Sequence, residues 1–583
     1  MHLISFSQQF TPLQRALFAW GFAVFVSLVV FAPGLAGAWW WDDNVKVFQH
    51  PFVVAPKGFF AIWSVGLSHD PWPLARSMYW LCYRYFEVDP FGYRVVQVLL
   101  HASVATGWGL VFHRLGFGKK GWVAAAVFLV HPITAETVLW VTEMTTLLAM
   151  LFALVSWWWF MDALERNGKA GTKAWGISLA WWAAALLSKA AVVGFPIAWG
   201  VWAVWVHRMA WRTVAVRLMP FMVLALASTG WTMATEGGIS DPLLHRSPEG
   251  INRIAVAWGH VGFYVEKIVV PLNLSFMYPH SLDVQAGQPW LWGRWCAVSV
   301  VITGLIVWLR RETVLWGLGA GVAMLLAPVI GIVSIRHVVH TLVWDHFVYP
   351  AVPLVVLAVV WLAGRIGGGR VPTRLGWGVA GVILVVLTSM TLHRSWICGD
   401  PVRMWERETT LHPQLSPGWN MLAQAGLRPA WQQMGRLDQR FQIAKKREQA
   451  LVAGRVSPSQ VAEEQQWIRR EVERIAELRE QLLPVFELGR DRLDRCLGIQ
   501  PGNFRARLVR ARVRAVLGET EGLELEWMQA WTDMQRLPES GWDPGVARQV
   551  LGGLKHGKHV ELAESVRTQA RAVWPHHREF ESE

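Results

Sequence analysis

The chain has 583 residues, a formal net charge of +13, 39 tryptophans and four cysteines. This length exceeds that of one ordinary domain. The four cysteines are too far apart for a zinc-ligand spacing or a dense disulfide framework. Short basic loops and a basic tail account for the positive charge, so it requires no nucleic-acid partner. The first 395 residues are dominated by apolar runs and the rest is charged, which favours a membrane protein with a soluble appendage.

Apolar stretches long enough to cross a bilayer occur throughout residues 1–395. About 18 apolar residues span roughly 30 Å of hydrocarbon as a helix. The motif HPITAE divides one stretch that is too long for a single span. The sequence then predicts about eleven crossings, near 14–36, 92–112, 121–131, 135–161, 174–188, 190–206, 218–233, 291–309, 313–333, 346–364 and 375–392. We therefore predict an all-α fold, with a polytopic membrane domain (1–395) and a soluble helical domain (396–583).

Lysine and arginine are concentrated in alternate loops, near 114–120, 166–173, 208–217, 310–311 and 365–374. Positive loops face the cytoplasm, so the amino terminus is predicted to be cytoplasmic. An odd number of spans then exports the carboxyl-terminal domain. Short loops favour a bacterial inner membrane with a periplasmic tail, and the endoplasmic reticulum is the alternative.

In this topology, polar residues converge on the outer face, beginning with Asp42 and Asp43 directly after the first span. Adjacent residues on a loop point in different directions. One carboxylate could therefore face a reacting hydroxyl while the other orients it or holds a cation. A solvated turn explains the same pair without chemistry.

Glu136 and Glu143 are seven residues apart in HPITAETVLWVTEM. On one continuous helix both would face the same side, about 10 Å apart along the axis. Ionisable groups at that depth serve a pathway, a partner or a site. Lys189, a lone cation in an apolar run, is the expected structural partner, and either a lipid phosphate or a buried glutamate would satisfy it.

A polar stripe lies on the second span, where Arg94, Gln97 and His101 follow at i, i+3 and i+7. Hydrogen bonding between helices explains such a stripe without chemistry. It is therefore interpreted as structural from the residues alone.

The segment SIRHVVHTLVWDHFVYP gathers Arg336, His337, His340, Asp345 and His346 within eleven residues. Metal binding by His and Asp is one possibility, but the spacing matches no tight ligand motif. Phosphate binding by Arg and His is the favoured hypothesis.

Segments in chain order resemble the GT-C class of membrane glycosyltransferases. The nearest resemblance is to the transmembrane and tetratricopeptide-repeat-containing O-mannosyltransferases and their bacterial relatives, over about residues 15–425. The segments are WWDDNVKVFQHP, DPWPLARSMYWLCYRYFEVDPFGYRVVQVLLH, FLVHPITAETVLWVTEMTTLLAMLF, LLSKAAVVGFPIAW, FYVEKIVVPLNLSFMYP, VWDHFVYPAVPLV and the junction RSWICGDPVRMWERETTLHP. Two departures are Trp72 before Pro73-Leu74, which displaces Arg76, and Ala190 after Ser-Lys.

The resemblance implies transfer of a sugar, with inversion, from a polyprenyl-phosphate-linked donor to a hydroxyl at the outer face. The acceptor is Ser or Thr of an exported protein, or alternatively an envelope glycan or lipid. Either Asp42 or Asp43 would be the general base, and Lys189, Arg336 and His346 would stabilise the departing phosphate. The resemblance further assigns supporting or metal-binding roles, with Mg²⁺ or Mn²⁺ as an open alternative, to His131, Glu136, Glu143 and Asp345. Acceptor-side or supporting positions are Arg76, Arg94, His101 and Tyr278.

The carboxyl-terminal region resembles degenerate tetratricopeptide repeats, with a charged long-helix insertion at about 430–490. Two poor repeats are fewer than a solenoid usually needs. The tail is therefore expected to pack on the membrane domain or on a partner protein. A non-catalytic membrane scaffold that acts through this tail is the third function class.

Overall fold

The structure, a computed structural model, describes residues 11–580 except 69–70, 236–250, 280–288, 310, 331–340, 342, 367–372, 537–542 and 575–579. Every regular element within these ranges is helical and none is a strand, so the predicted all-α fold is confirmed. The chain divides into two compact units, residues 1–404 and 405–583.

The first unit contains the apolar helices. They are α1 (Pro12–Leu35), α2 (Pro73–Phe86), α3 (Pro90–Phe112), α4 (Lys119–Leu129), α5 (Thr134–Leu139), α6 (Met144–Glu165), α7 (Gly168–Leu186), α8 (Phe195–Val201), α9 (Trp211–Thr235), α10 (Ile251–Val269), α11 (Pro289–Trp308), α12 (Thr313–Leu326), α13 (Val352–Ile366) and α14 (Thr373–Cys398). Short helical turns connect several of them.

Five described helical stretches are long and apolar enough to cross a membrane, namely Pro12–Leu35, Pro90–Phe117, Val141–Glu165, Trp211–Thr235 and Leu375–Cys398. Shorter apolar helices are Ala190–Val206, Gly293–Trp308, Thr313–Leu326 and Val352–Arg365. These helices support a multi-pass membrane protein. The count of eleven spans and their orientation stay predictions.

Helix α1 shows why such a segment forms. Thr11 caps it through a reciprocal capping box with Gln14, and Pro12 occupies its first turn, where a missing N–H costs nothing. Its 24 residues extend about 36 Å. Phe18 and Phe25 are exposed, as expected for a helix whose outer side faces lipid.

Close backbone packing brings the end of α1 against the end of α14. A Cβ atom at Gly37 would lie 2.7 Å from the carbonyl oxygen of Gly399, so only glycine fits there without a shift. The Ser395 hydroxyl donates to the Phe31 carbonyl at 3.0 Å. This contact places the loop after α1 beside the carboxyl-terminal end of α14.

The helices that follow are α15 (Pro401–Leu411), α16 (Ser416–Val452), α17 (Val461–Glu480), α18 (Leu483–Ile499), α19 (Phe504–Val516), α20 (Leu523–Gln535), α21 (Pro544–His556) and α22 (Val560–Val573). The second unit has one core around Leu427, Phe486 and Leu493, and another around Trp531 and Val550. The charged segment at 430–490 forms the latter part of α16, all of α17 and the start of α18. The tetratricopeptide-like character of this region and its packing partner stay predictions.

Candidate functional site

The site begins in the loop after α1, where Asp43 is fully buried. Its Oδ2 accepts the N–H of Trp40 at 2.9 Å. Its Oδ1 accepts both the N–H of Thr142 at 2.9 Å and the hydroxyl of the same residue at 2.8 Å. Asp43 therefore ties the loop to the segment that follows α5.

The two adjacent aspartates differ in environment, as their loop position predicts. Burial and the neighbouring Asp42 charge raise the pKa of Asp43 from 3.8 to about 7. Asp42 is half-buried, so it is the more accessible carboxylate. Trp41, immediately before it, has φ of +34°, an unfavourable conformation for a bulky side chain that surrounding contacts must enforce.

The expectation that Glu136 and Glu143 lie on one continuous helix was wrong. Helix α5 ends at Leu139, Trp140 is extended (φ −83°, ψ 114°), and a short 3₁₀ turn, Val141–Glu143, leads into α6. Both carboxylates nevertheless contact the same imidazole. The Nδ1 atom of His346 lies 2.5 Å from Oε1 of Glu136, and its Nε2 atom lies 3.6 Å from Oε1 of Glu143.

Lys189 has the buried-glutamate partner that the sequence allowed. Its Nζ lies 2.9 Å from both carboxylate oxygens of Glu143 and 2.9 Å from the hydroxyl of Thr146. Its side chain is only 16% exposed. A donor phosphate at Lys189 would therefore have to compete with this ion pair.

A second ion pair extends the cluster. Asp345 accepts the Tyr278 hydroxyl at 2.7 Å through Oδ1, and its Oδ2 lies 2.7 Å from Nη2 of Arg394. Arg394 also lies 3.8 Å from Oε2 of Glu136. The contacts therefore form a continuous chain from Lys189 to Tyr278. Arg394 is not among the residues predicted from the sequence, although an arginine near the end of the last apolar helix is a usable signal.

Arg94 donates hydrogen bonds to backbone carbonyls, in agreement with the structural interpretation of the polar stripe. It donates to the carbonyls of Leu139 at 2.9 Å and Ala38 at 2.5 Å, and also to that of Gly37. Gln97 donates to the Trp140 carbonyl at 2.7 Å. This stripe therefore fixes both the loop after α1 and the break between α5 and α6.

The remaining predicted residues mostly contact backbone. His101 pairs with the Tyr349 hydroxyl at 2.8 Å and the Leu129 carbonyl at 3.1 Å. His131 lies 2.9 Å from the Ile268 carbonyl. Arg76 donates to the carbonyl of Lys46. Arg336, His337 and His340 lie outside the described residues.

No group of three or more His, Cys, Asp or Glu side chains among the described residues could hold a metal ion. Glu143 and Asp345 are instead paired with Lys189 and Arg394. A bound Mg²⁺ or Mn²⁺ stays a prediction, and the described side chains do not fit one.

An aromatic cluster adjoins these charges, with Phe276 at its centre. The ring of Phe276 lies 6.2 Å from Trp40, 5.9 Å from Trp41, 5.2 Å from Trp140 and 5.4 Å from Trp344, measured between ring centroids. Trp140 and Trp344 also contact the His346 ring at 5.1 and 5.5 Å. Tryptophans near the ends of apolar spans usually anchor a protein at the membrane interface, so their abundance in the sequence does not predict such a cluster.

The arrangement combines a half-buried carboxylate with aromatic walls and buried ion pairs. Such surroundings strengthen electrostatic interactions by excluding water. Asp42 can accept a proton from a hydroxyl, while Asp43, through its hydrogen bonds, holds the loop in place. Proton abstraction from an alcohol is therefore chemistry that this site can perform.

No family model matches the chain. It is 28% identical over 149 residues to a protein O-mannosyl-transferase of Caenorhabditis elegans, covering 22% of this chain and 21% of the relative. It is 27% identical over 178 residues to protein O-mannosyl-transferase TMTC4 of Mus musculus, covering 25% and 24%. It is 30% identical over 172 residues to protein O-mannosyl-transferase tmtc2 of Xenopus laevis, covering 27% and 20%. The chain thus spans between a fifth and a quarter of these relatives' lengths, and proteins named for O-mannosyl transfer are what that part resembles.

Proposed function

We propose that the protein is an integral membrane glycosyltransferase that transfers a sugar from a polyprenyl-phosphate-linked donor to a Ser or Thr hydroxyl of an exported protein. The similarity to protein O-mannosyl-transferases supports the sugar and the protein acceptor. The observation that carries the proposal is the strained Trp41–Asp43 loop, which Asp43 ties to the segment containing Glu143. In this loop the half-buried Asp42 directly follows Trp41, a member of the aromatic cluster.

In the proposed reaction, Asp42 accepts the proton of the acceptor hydroxyl as its oxygen attacks the anomeric carbon. The bond from that carbon to the donor phosphate breaks, and the phosphate leaves with the bonding electrons. A single displacement inverts the anomeric centre. A carboxylate is a weak base for an alcohol, so positioning and stabilisation of the leaving group must supply most of the rate enhancement.

Leaving-group stabilisation is proposed for Lys189, Arg336 and His346. Lys189 is already paired with Glu143, so approach of the phosphate would exchange one anion for another. His346 lies between two glutamates, one of which, Glu143, also pairs with Lys189. This contact holds its ring close to the lysine.

The test uses purified protein with a labelled polyprenyl-phosphate sugar and three acceptor pools: Ser/Thr peptides, envelope glycans and lipids. Asp42→Asn is expected to reduce transfer about a thousandfold, within the range seen for loss of a general base together with its positioning. Asp89→Asn is the matched control, because Asp89 is an exposed helix cap and asparagine caps equally well.

Each outcome assigns the function class. Label in peptides supports the proposal, whereas label only in glycans or lipids identifies the alternative acceptor. Full transfer by Asp42→Asn would show that this carboxylate is not the base. No transfer by intact protein to any pool, with an unchanged envelope glycan profile in cells, would favour the scaffold alternative.

The proposed location is a bacterial inner membrane, with a cytoplasmic amino terminus and a periplasmic tail. Single cysteines introduced in the loop near Lys119 and in α21 provide the test, by labelling with a membrane-impermeant thiol reagent in intact spheroplasts. Labelling at α21 alone supports this orientation, and labelling near Lys119 alone reverses it.

A further inference from the structure

The aromatic cluster around Phe276 contains polar groups that the fold leaves unused. The indole N–H groups of Trp40, Trp140 and Trp344 are buried, and none has an acceptor among the described residues. The three side chains are 2%, 6% and 4% exposed. A buried donor without an acceptor is costly, and proteins rarely keep several together without a reason.

Other buried tryptophans with unused N–H groups provide a comparison. Trp108 and Trp199 also lack acceptors, but their ring contacts are apolar, including Phe195 for both. Trp140 and Trp344, in contrast, lie against the His346 ring. Among these five tryptophans, only those around Phe276 therefore combine unused indole N–H groups with contacts to the charged groups of the candidate site.

The pairing of the charges beside the cluster decides what kind of acceptor these donors suit. The charged side chains of the described site beside the rings are Asp42, Asp43, Glu136, Glu143 and Asp345, with the cations Lys189, Arg394 and Arg94. Lys189 and Arg394 are paired with carboxylates, and Arg94, 5.6 Å from the Trp40 ring, donates to backbone carbonyls. An anion bound at the rings would have to displace one of these pairings, whereas a neutral ligand would not. A neutral ligand with many hydroxyls fits better, because its oxygens accept from indole N–H groups and its own O–H groups donate to carboxylates.

The ring faces suit the same ligand. Trp41 is half-buried and is the member of the cluster that solvent reaches. Flat aromatic surfaces bury the C–H faces of a ligand while their polar edges supply hydrogen bonds. A pyranose ring has apolar C–H faces and equatorial hydroxyls, so it matches both features.

We infer that Trp40, Trp41, Trp140 and Trp344 around Phe276 form a pyranose-binding subsite in which indole N–H groups donate to sugar hydroxyls. This inference rests on the proposed function and deepens it, because it names the part of the site that holds the sugar. The ring belongs either to the donor or to a sugar already on the acceptor.

The test measures binding separately from transfer. Methyl α-mannoside, methyl α-glucoside and methyl α-galactoside are titrated against purified protein in nanodiscs and followed by saturation-transfer NMR. Trp140→Phe and Trp344→Phe keep an aromatic ring but remove the pyrrole ring with its N–H donor, so each is expected to weaken binding about three- to tenfold. Trp108→Phe and Trp199→Phe are the matched controls and are expected to bind like the intact chain.

Binding to intact protein that neither Trp140→Phe nor Trp344→Phe weakens would overturn the inference, as would no binding of any glycoside. Unfolding midpoints of all four variants identify a packing effect, which would lower stability in the controls as well. Weaker glycoside binding by Trp140→Phe or Trp344→Phe in a protein that transfers no sugar overturns the proposed function alone. Unchanged glycoside binding by both variants in a protein that does transfer sugar overturns the subsite alone, so the two failures give different results. A raised KM for the donor in Trp140→Phe and Trp344→Phe shows that the bound pyranose belongs to the donor. A raised KM for the acceptor shows that it belongs to the acceptor.

Discussion

Asp43 is expected to make the stability of the membrane unit fall as pH rises through neutrality. Its pKa is raised from 3.8 to about 7, mainly by burial and also by the Asp42 charge. The native state therefore holds a proton that the unfolded chain has lost. That contribution is complete below the unfolded pKa and disappears as pH rises through the folded value. Between pH 6 and pH 8 the loss amounts to about 1.4 kcal/mol.

The assay is denaturant unfolding in detergent at pH 6, 7 and 8, followed by tryptophan fluorescence. Asp43→Asn cannot titrate, so the variant should lack about 1.4 kcal/mol of the pH dependence of the intact chain. It should also be less stable throughout, because Asp43 accepts hydrogen bonds through both oxygens, from Trp40 and from Thr142, and asparagine keeps only one acceptor oxygen. Asp89→Asn should keep the slope of the intact chain. Equal slopes for intact chain and Asp43→Asn would refute the reasoning.

Three further predictions concern the contacts around the site. Glu143→Gln leaves Lys189 buried without a carboxylate, so it should cost about 3 kcal/mol in unfolding free energy, and adding Lys189→Met should recover most of this loss. Arg394→Met should lower the free energy of unfolding by a similar amount, about 3 kcal/mol, since two buried carboxylates lose their cation. A variant as stable as the intact chain would contradict the pairing. Gly37→Ala should lower both the unfolding midpoint and transfer, because its Cβ would lie 2.7 Å from a backbone carbonyl oxygen. The control Gly21→Ala, in open space on α1, should leave transfer unchanged.

Local features of the site were predictable because they depend on a few nearby residues. The loop after the first apolar helix identified Asp42 and Asp43 and implied that they face different surroundings. A lone lysine in an apolar run implied a buried anion, and Glu143 is that anion. Which anion it would be, a glutamate or a lipid phosphate, depends on a contact between residues 46 positions apart. The sequence could therefore state only the alternatives.

The aromatic cluster was not predictable because single-residue statistics pointed elsewhere. Tryptophan near the ends of apolar spans is usually an interface anchor. Trp140 and Trp344 are instead buried against Phe276, a residue in an irregular segment between helices. Nothing in composition or periodicity brings these three positions together. Arg394 was missed for the same reason, since its partner Asp345 comes from a distant segment.

The break between α5 and α6 shows why residues interpreted as structural still control the candidate chemistry. ITAETVLWVTEM contains neither Gly nor Pro, so its sequence favours an unbroken helix. Side chains from other segments hydrogen-bond the backbone groups that such a helix would use. Arg94 donates to the Leu139 carbonyl, Gln97 donates to the Trp140 carbonyl, and Asp43 accepts from the Thr142 N–H.

The break changes the geometry of the carboxylates. In an unbroken helix, two carboxylates seven positions apart would be separated by about 10 Å along the axis. With the break, Glu136 and Glu143 contact opposite nitrogens of the His346 ring at 2.5 and 3.6 Å. Substitution of Arg94 or Gln97, which hydrogen-bond backbone carbonyls at the break, should therefore move Glu143 away from the His346 ring. Such a residue belongs to the site because it sets where the charges lie, even though its own hydrogen bonds go only to backbone.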